Sequence, residues 1–410
     1  MHKWKYGTII FFLCLVLTAV ALLVYWNLKY HQVESKVKSK EDYLRGLVNK
    51  VNSNPTSSWK AKYNKFGETV RTYEFQSFPR DFSWVKKYYH EVKEYSESEG
   101  MKRHIRELQE LIKKPPPFRF DAREKWPHCP SLHYIPNQGG CGSCYAVAAV
   151  SVASDRLCIH SNGSFRSILS VQDALTCCEN CGGCFGGDPL KVLSYFVKDG
   201  LVTGIASSYS FYYLSFFGGR DGCKPYEFDL KCGVPCSPST YQGNEATRRC
   251  EKKCQNIYFQ REYKEDKFHG SFAYSLAKRR FTLINDNNEH VVVPTVFHAM
   301  KQSIPMNDSM ILTVLKHEIM TYGPITLTFP VTEEFLHYST GIFRPFPKED
   351  MDTRIIYWHV VRLIGWGRES DGSHYWLAVN SFGNHWGDAG LFRMNIELLQ
   401  AYGLEYEAVL

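Results

Sequence analysis

Thirteen of the fourteen cysteines fall between Cys129 and Cys254, and that density constrains the fold more than any other feature of the chain. Thiols so crowded persist as disulfides in an oxidising, lumenal or extracellular compartment. One of them stands apart. Cys144 follows the glycine-rich turn Gln138-Gly-Gly-Cys-Gly-Ser and opens a run to Ser154 without charge, Gly or Pro. Such a run reads as a helix buried on most of its surface. A thiol in its first turn meets unpaired N–H groups and the positive end of the helix dipole. Beside an imidazole its pKa falls from about 8.5 to roughly 3.5–7.5, so Cys144 is expected to be a thiolate in a mildly acidic compartment. The remaining twelve, Cys129, Cys141, Cys158, Cys177, Cys178, Cys181, Cys184, Cys223, Cys232, Cys236, Cys250 and Cys254, leave room for up to six disulfides, with the pairing open. A zinc site at Cys177–Cys184 lacks a second Cys or His pair at finger distance. No metal or cofactor is expected.

Any single cysteine in such a chain is more often bridged or buried than catalytic. Gln138, six residues before Cys144, changes that balance. Its side-chain amide can join the Cys144 N–H in stabilising an oxyanion. Gln138 to Tyr145 resembles the active-site segment of papain-like cysteine proteases, with Tyr145 where Trp is usual.

Toward the N-terminus, Gly7 to Trp26 is uncharged and mainly apolar, with aromatic residues at both ends. It reads as a single-pass signal anchor after a cytoplasmic tail (1–6), with a cleaved signal peptide as the alternative. The excess of Lys+Arg over Asp+Glu, 49 against 42, is modest, and much of it lies in 29–114. No nucleic-acid motif accompanies it, so no nucleic-acid partner is expected. Ser39-Lys-Glu-Asp42 resembles a capping box, and Leu44, Leu47, Val48 and Val51 then share one helical face. Glu41 to Ala61 is similar to the short pro-region of cathepsin B-like enzymes, which implies an inhibitory segment across the cleft. A second charged helical stretch, about 84–113, reads as a solvated stalk. Pro115-Pro-Pro117 ends it, closing a pro-region and spacer over 27–117. Phe120-Asp-Ala-Arg to Cys129 looks like the mature N-terminus of cathepsin B, which places processing between Lys113 and Arg119.

The peptidase body is expected over 118–410. Gly186 and Gly187 resemble the family's non-primed wall, where glycine allows a substrate backbone close approach. Tyr209 to Phe217 holds six aromatics in nine residues, expected to pack on the body. The family's occluding loop, with paired histidines that bind a substrate C-terminal carboxylate, falls between Cys232 and Cys236. Here only Gly233-Val-Pro235 remains, and no His occurs from Cys223 to Cys254. That departure implies endopeptidase rather than carboxydipeptidase activity. Residues 277–307 read as an insertion in which His290 and His298 are ordinary polar residues. Asn162 and Asn307 begin glycosylation sequons.

From Met310 the pattern becomes a helix to Tyr322 followed by strands at 325–329, 360–364, 375–379 and 391–395. A helical half and a strand-rich half give α+β, the papain-like two-domain fold with a cleft between. His359 precedes one strand and Asn380 ends the next. Cys, His, Asn in that order matches the papain-like pattern, with His359 as base and Asn380 as its orienting amide. Glu407 falls where cathepsin B has an acidic residue at the base of its S2 pocket, implying tolerance of a basic P2 side chain. Tyr357-Trp358 replaces glycines before the His, and Trp358 is expected to narrow the leaving-group side. Phe382 replaces a shielding Trp. The expectation is a cathepsin B-like cysteine endopeptidase made as a zymogen, on the lumenal side of an endolysosomal or secretory membrane. Its partners would be peptide substrates, its own pro-region and cystatin-type inhibitors. The alternative is an inactive membrane-anchored binding protein that kept the fold.

Overall fold

Helix α1 runs from His2 to Ser53 without a break, although a new helix start was expected at Ser39. Helix formers fill 33–38 and no Gly or Pro interrupts them, so a capping residue alone does not end the preceding helix. The computed structural model describes residues 2–65, 93–179, 181–205, 222–227, 249–276, 282–284, 290–292, 295–345, 355–396 and 406–410. Within α1, Cys14–Gln32 is long and apolar enough to cross a membrane and is nowhere buried. It overlaps the expected span 7–26. The predicted face of Leu44, Leu47, Val48 and Val51 is buried on the rest of the molecule.

After α1 the chain lays strand β1 (Trp59–Ala61) along the edge of the main sheet. Helix α2 (Glu99–Leu111) follows, capped by Ser98, whose hydroxyl accepts from the Met101 N–H. α2 corrects the expectation of a solvated stalk. It buries Met101, His104 and Leu108, three residues at helical spacing. His104 Nε2 lies 2.9 Å from Glu318, which also takes Arg156 at 2.8 Å and the Tyr274 hydroxyl. Burial alone would raise the Glu318 carboxyl, but His104 and Arg156 outweigh it and hold the pKa near 2. The charged residues of α2 stay exposed, and the face it docks carries Met101, His104 and Leu108.

Short strand β2 (Phe120–Asp121) then enters the body. The helical half is built on α3 (Cys144–His160), α4 (Val171–Cys177) and α5 (Pro189–Lys198). Thirteen residues of α3 are buried, as its uncharged run requires. Strand β3 (Ala273–Ser275) and the pair β4 (Thr282–Ile284) and β5 (His290–Val292) lead to α6 (Val296–Met300) and α7 (Asp308–Tyr322). Within the expected insertion, α6 buries Val296, Phe297 and Met300 in the main core, and His298 bonds Thr295. The strand half comprises β6 (Ile325–Thr332), β7 (Tyr338–Phe343), β8 (Ile355–Arg368), β9 (His374–Val379) and β10 (Leu391–Asn395). Their order is β1-β7-β10-β9-β8-β2, with β6 also on β8. Strand β11 (Glu407–Val409) returns to pair with β3.

Five disulfides form among the described residues: Cys129–Cys158, Cys141–Cys184, Cys177–Cys250, Cys178–Cys181 and Cys223–Cys254. Cys232 and Cys236, with the shortened loop between them, and the aromatic segment 209–217 lie outside those residues. Asn162 and Asn307 are both exposed.

Candidate active site

Cys144 is a free thiol at the first position of α3. Across from it, β8 starts at Ile355, five residues earlier than its apolar pattern suggested, so His359 sits within the strand. The strand's alternation decides what faces inward: Tyr357 and His359 are buried, while Trp358 between them is 47% exposed. The N–H of the next residue, Val360, is among the backbone groups that favour charge on the Cys144 sulfur.

The imidazole's tautomer follows from its partners. Asn380 Oδ1 accepts the backbone N–H of Ser381 at 2.8 Å, which fixes the amide's orientation. The same oxygen lies 2.8 Å from His359 Nε2. An amide oxygen only accepts, so Nε2 carries the proton and Nδ1 keeps the lone pair. Nδ1 is buried and makes no hydrogen bond among the described residues. Phe382 lies against the ring at 5.0 Å between centroids, backed by Trp386 at 5.3 Å. Phe382, backed by Trp386, thus lies on the imidazole at the position where a shielding Trp is usual.

Burial also sets the charge state. It lowers the pKa of His359 to about 4, against the bond to Asn380, which raises it. It pushes the Cys144 thiol up to about 11 even though backbone N–H groups of Val360, Tyr145 and Cys144 pull it down. Desolvation and the N–H groups at the helix terminus thus act on the Cys144 thiol in opposite directions.

Gln138 is held at three points. Its N–H donates to Ser381 O at 2.9 Å. Its Oε1 accepts from Ser381 Oγ at 2.6 Å, and its Nε2 donates to Cys141 O at 2.9 Å. An amide NH2 has two donors, so one N–H remains for a substrate oxygen. Ser381 was missed from sequence, although its place directly after Asn380 was the available signal. Gly383 N–H to Pro136 O, 3.0 Å, completes the clasp between the two halves of the site.

The glycines beside this loop have an inward reason as well as the outward one. A Cβ on Gly187 would come within 2.0 Å of Cys181 O and 2.6 Å of the Tyr145 ring, and Gly186 has φ 89°. Tyr145 fits where Trp is usual because its hydroxyl reaches Gly183 O at 3.0 Å. Gly142 N–H donates to Cys184 O at 2.9 Å, so the Cys141–Cys184 bridge fastens the glycine wall to the turn before the nucleophile. Glu407 is buried, at 4% exposure, and accepts from the Thr326 hydroxyl.

Comparison with known proteins followed the same outline. The family described as papain family cysteine protease matches residues 116–410. Cathepsin B-like cysteine proteinase 6 of Caenorhabditis elegans is 37% identical over 286 residues, covering 68% of this chain and 62% of that relative's length. Cathepsin B-like cysteine proteinase 3 of the same organism is 33% identical over 350 residues, 85% of this chain and 77% of the relative. Among solved structures, procathepsin B S9 from Trypanosoma congolense aligns with a TM-score of 0.55 at 22% identity, over 88% of this chain and 95% of the other. The proform of the ragweed pollen protease Amb a 11 gives 0.51 at 16%, over 91% and 87%. These structural likenesses concern the fold.

Proposed function

The chain belongs to the papain family of cysteine proteases and is cathepsin B-like, and from that premise we propose that it is an endopeptidase synthesised as a zymogen. The observation that carries this is the buried His359, whose Nε2–H is committed to Asn380 and whose Nδ1 lone pair is left over, one residue before the Val360 N–H that favours charge on the Cys144 sulfur. His359 Nδ1 takes the thiol proton as Cys144 Sγ attacks the scissile carbonyl. The oxyanion is received by the Cys144 N–H and the spare N–H of Gln138. His359 returns the proton to the amine, the C–N bond breaks, and water hydrolyses the thioester with His359 again as base.

Endopeptidase action is favoured by the three residues left between Cys232 and Cys236 and by the absence of His from Cys223 to Cys254. The pro-region acts as the inhibitor. It docks through β1 on β7, where Trp59 pairs with Gly341, and through Asn64, whose N–H donates to His337 Nδ1 at 2.9 Å. The exposed stretch Lys113–Arg119 is the processing segment. Cys14–Gln32 acts as the membrane anchor, and the disulfides put the body in the lumen. Gly186, Gly187, Trp358 and Glu407 form the substrate walls. The processed protein should cleave internal bonds of blocked peptides at mildly acidic pH, and Cys144→Ala should abolish that turnover. Turnover that survives the change, or none in the folded wild type, would contradict the reading.

A further inference from the structure

We propose that Tyr226 is a positioning residue for the oxyanion-binding turn, a role that rests on the catalytic reading of Cys144 and Gln138 given above. Tyr226 follows Cys223-Lys-Pro in the cysteine framework and is far from the reacting residues in sequence. Its hydroxyl nevertheless meets both ends of the turn. It donates to the Gln138 main-chain oxygen at 2.7 Å and lies 2.9 Å from Ser143 Oγ. A phenol has one proton and a carbonyl only accepts, so the Ser143 hydroxyl must be the donor to Tyr226. The chain of bonds runs Ser143 to Tyr226 to Gln138, with all three residues at most 6% exposed.

Ser143 occupies the N-cap position of α3. A serine there ordinarily accepts from an N–H of the first turn. Here its side chain makes no such bond, because Tyr226 holds the hydroxyl elsewhere. The Ser143 side chain is thus kept off the first-turn N–H groups, and the Cys144 N–H stays available to an oxyanion. At the other end, Gln138 is pinned by Tyr226 on its carbonyl and by Ser381 on its Oε1. The platform beneath Tyr226 is stiff: Cys223 is bridged to Cys254, and Lys224 is buried on Asp173 at 3.0 Å. Tyr226 thereby aims the Gln138 amide without touching substrate.

The test compares processed wild type, Tyr226→Phe and Ser143→Ala in three assays: peptide turnover, inhibition by a peptidyl aldehyde, and the rate at which a dipyridyl disulfide modifies Cys144. The aldehyde forms an oxyanion and the disulfide does not. Tyr226→Phe should lower kcat about fivefold, the worth of one neutral hydrogen bond, with KM little changed. Aldehyde affinity should fall by the same factor and the disulfide rate should hold. Ser143→Ala should move the first two readouts the same way, by less. Unchanged kcat and aldehyde affinity in both variants would overturn the proposal. A disulfide rate that falls in step would also overturn it, by showing that Tyr226 supports the thiol or the fold instead. Wild type without turnover would refute the catalytic reading itself, and this role with it.

Discussion

At the scale of single residues, Glu407 sets a carboxylate deep in the body. Its side chain is almost wholly enclosed, with the Thr326 hydroxyl as one partner, and its own N–H donates to Thr326 Oγ1 at 3.0 Å. A surface role is thereby excluded, and a carboxylate in such a place attracts a cation that reaches it through apolar surroundings. Peptides with Arg at P2 should be cleaved with a kcat/KM comparable to those with Phe. Glu407→Gln should depress the Arg substrate roughly tenfold or more, the size of a charge-assisted bond, and spare the Phe substrate. Equal loss on both substrates would remove Glu407 from the pocket. The site residues Cys144, His359, Asn380 and Gln138 were legible because each sits in a motif of the chain. Ser381, Ser143 and Tyr226 were not, since their roles come from contacts made only after the turn and strands close on each other.

At the scale of elements, the strand β1 and the residues after it form a latch on the strand half. Lys62 N–H donates to His337 O at 2.7 Å, Asn64 N–H to His337 Nδ1, and the Tyr63 ring stacks on the imidazole at 5.7 Å. Burial lowers the pKa of His337 to about 4, below its usual value near 6.5. The sign follows from linkage: a depressed histidine contributes stability above the unfolded pKa, and that stability is lost as pH falls through the folded one. Protonation also places a hydrogen on Nδ1 and turns the acceptor for Asn64 into a donor. In the Cys144→Ala full-length protein, hydrogen-exchange protection of 59–64 should therefore fall between about pH 6.5 and 4, and His337→Gln should flatten that fall. An unchanged profile in the variant would assign the pH response to other groups. Strands β6, β9 and β10 were readable from alternating apolar residues. The N-terminal extension of β8 through Tyr357-Trp358 was not, because bulky aromatic residues before a histidine carry no periodicity of their own. α2 was misread for a related reason: His104, Glu318 and Arg156 balance one another only in three dimensions.

For the whole molecule, α1 has two roles. Its apolar portion ends near Gln32, while Leu44, Val48 and Val51 bind the body. From Trp26 to Leu44 the helix advances roughly 27 Å. On the proposed reading the apolar helix reaches the body by way of residues 33–112, so processing between Lys113 and Arg119 would release the body from both the anchor and the inhibitory segment together. Activity should accordingly move from the membrane fraction to the soluble fraction in step with loss of the pro-region. Active, processed enzyme that stays membrane-bound would show a second attachment. The central claim is that Cys144 and His359 form a working pair once the pro-region is gone. A thiol-directed epoxide applied to residues 29–410 before and after processing at mildly acidic pH, followed by peptide mass mapping, tests this pair. Labelling of Cys144 should be slow before processing, while the pro-region is still attached. After processing, labelling should be fast and confined to Cys144, and His359→Ala should abolish it. A processed, folded protein whose Cys144 stays unlabelled would contradict the account and leave a binding protein on a protease fold.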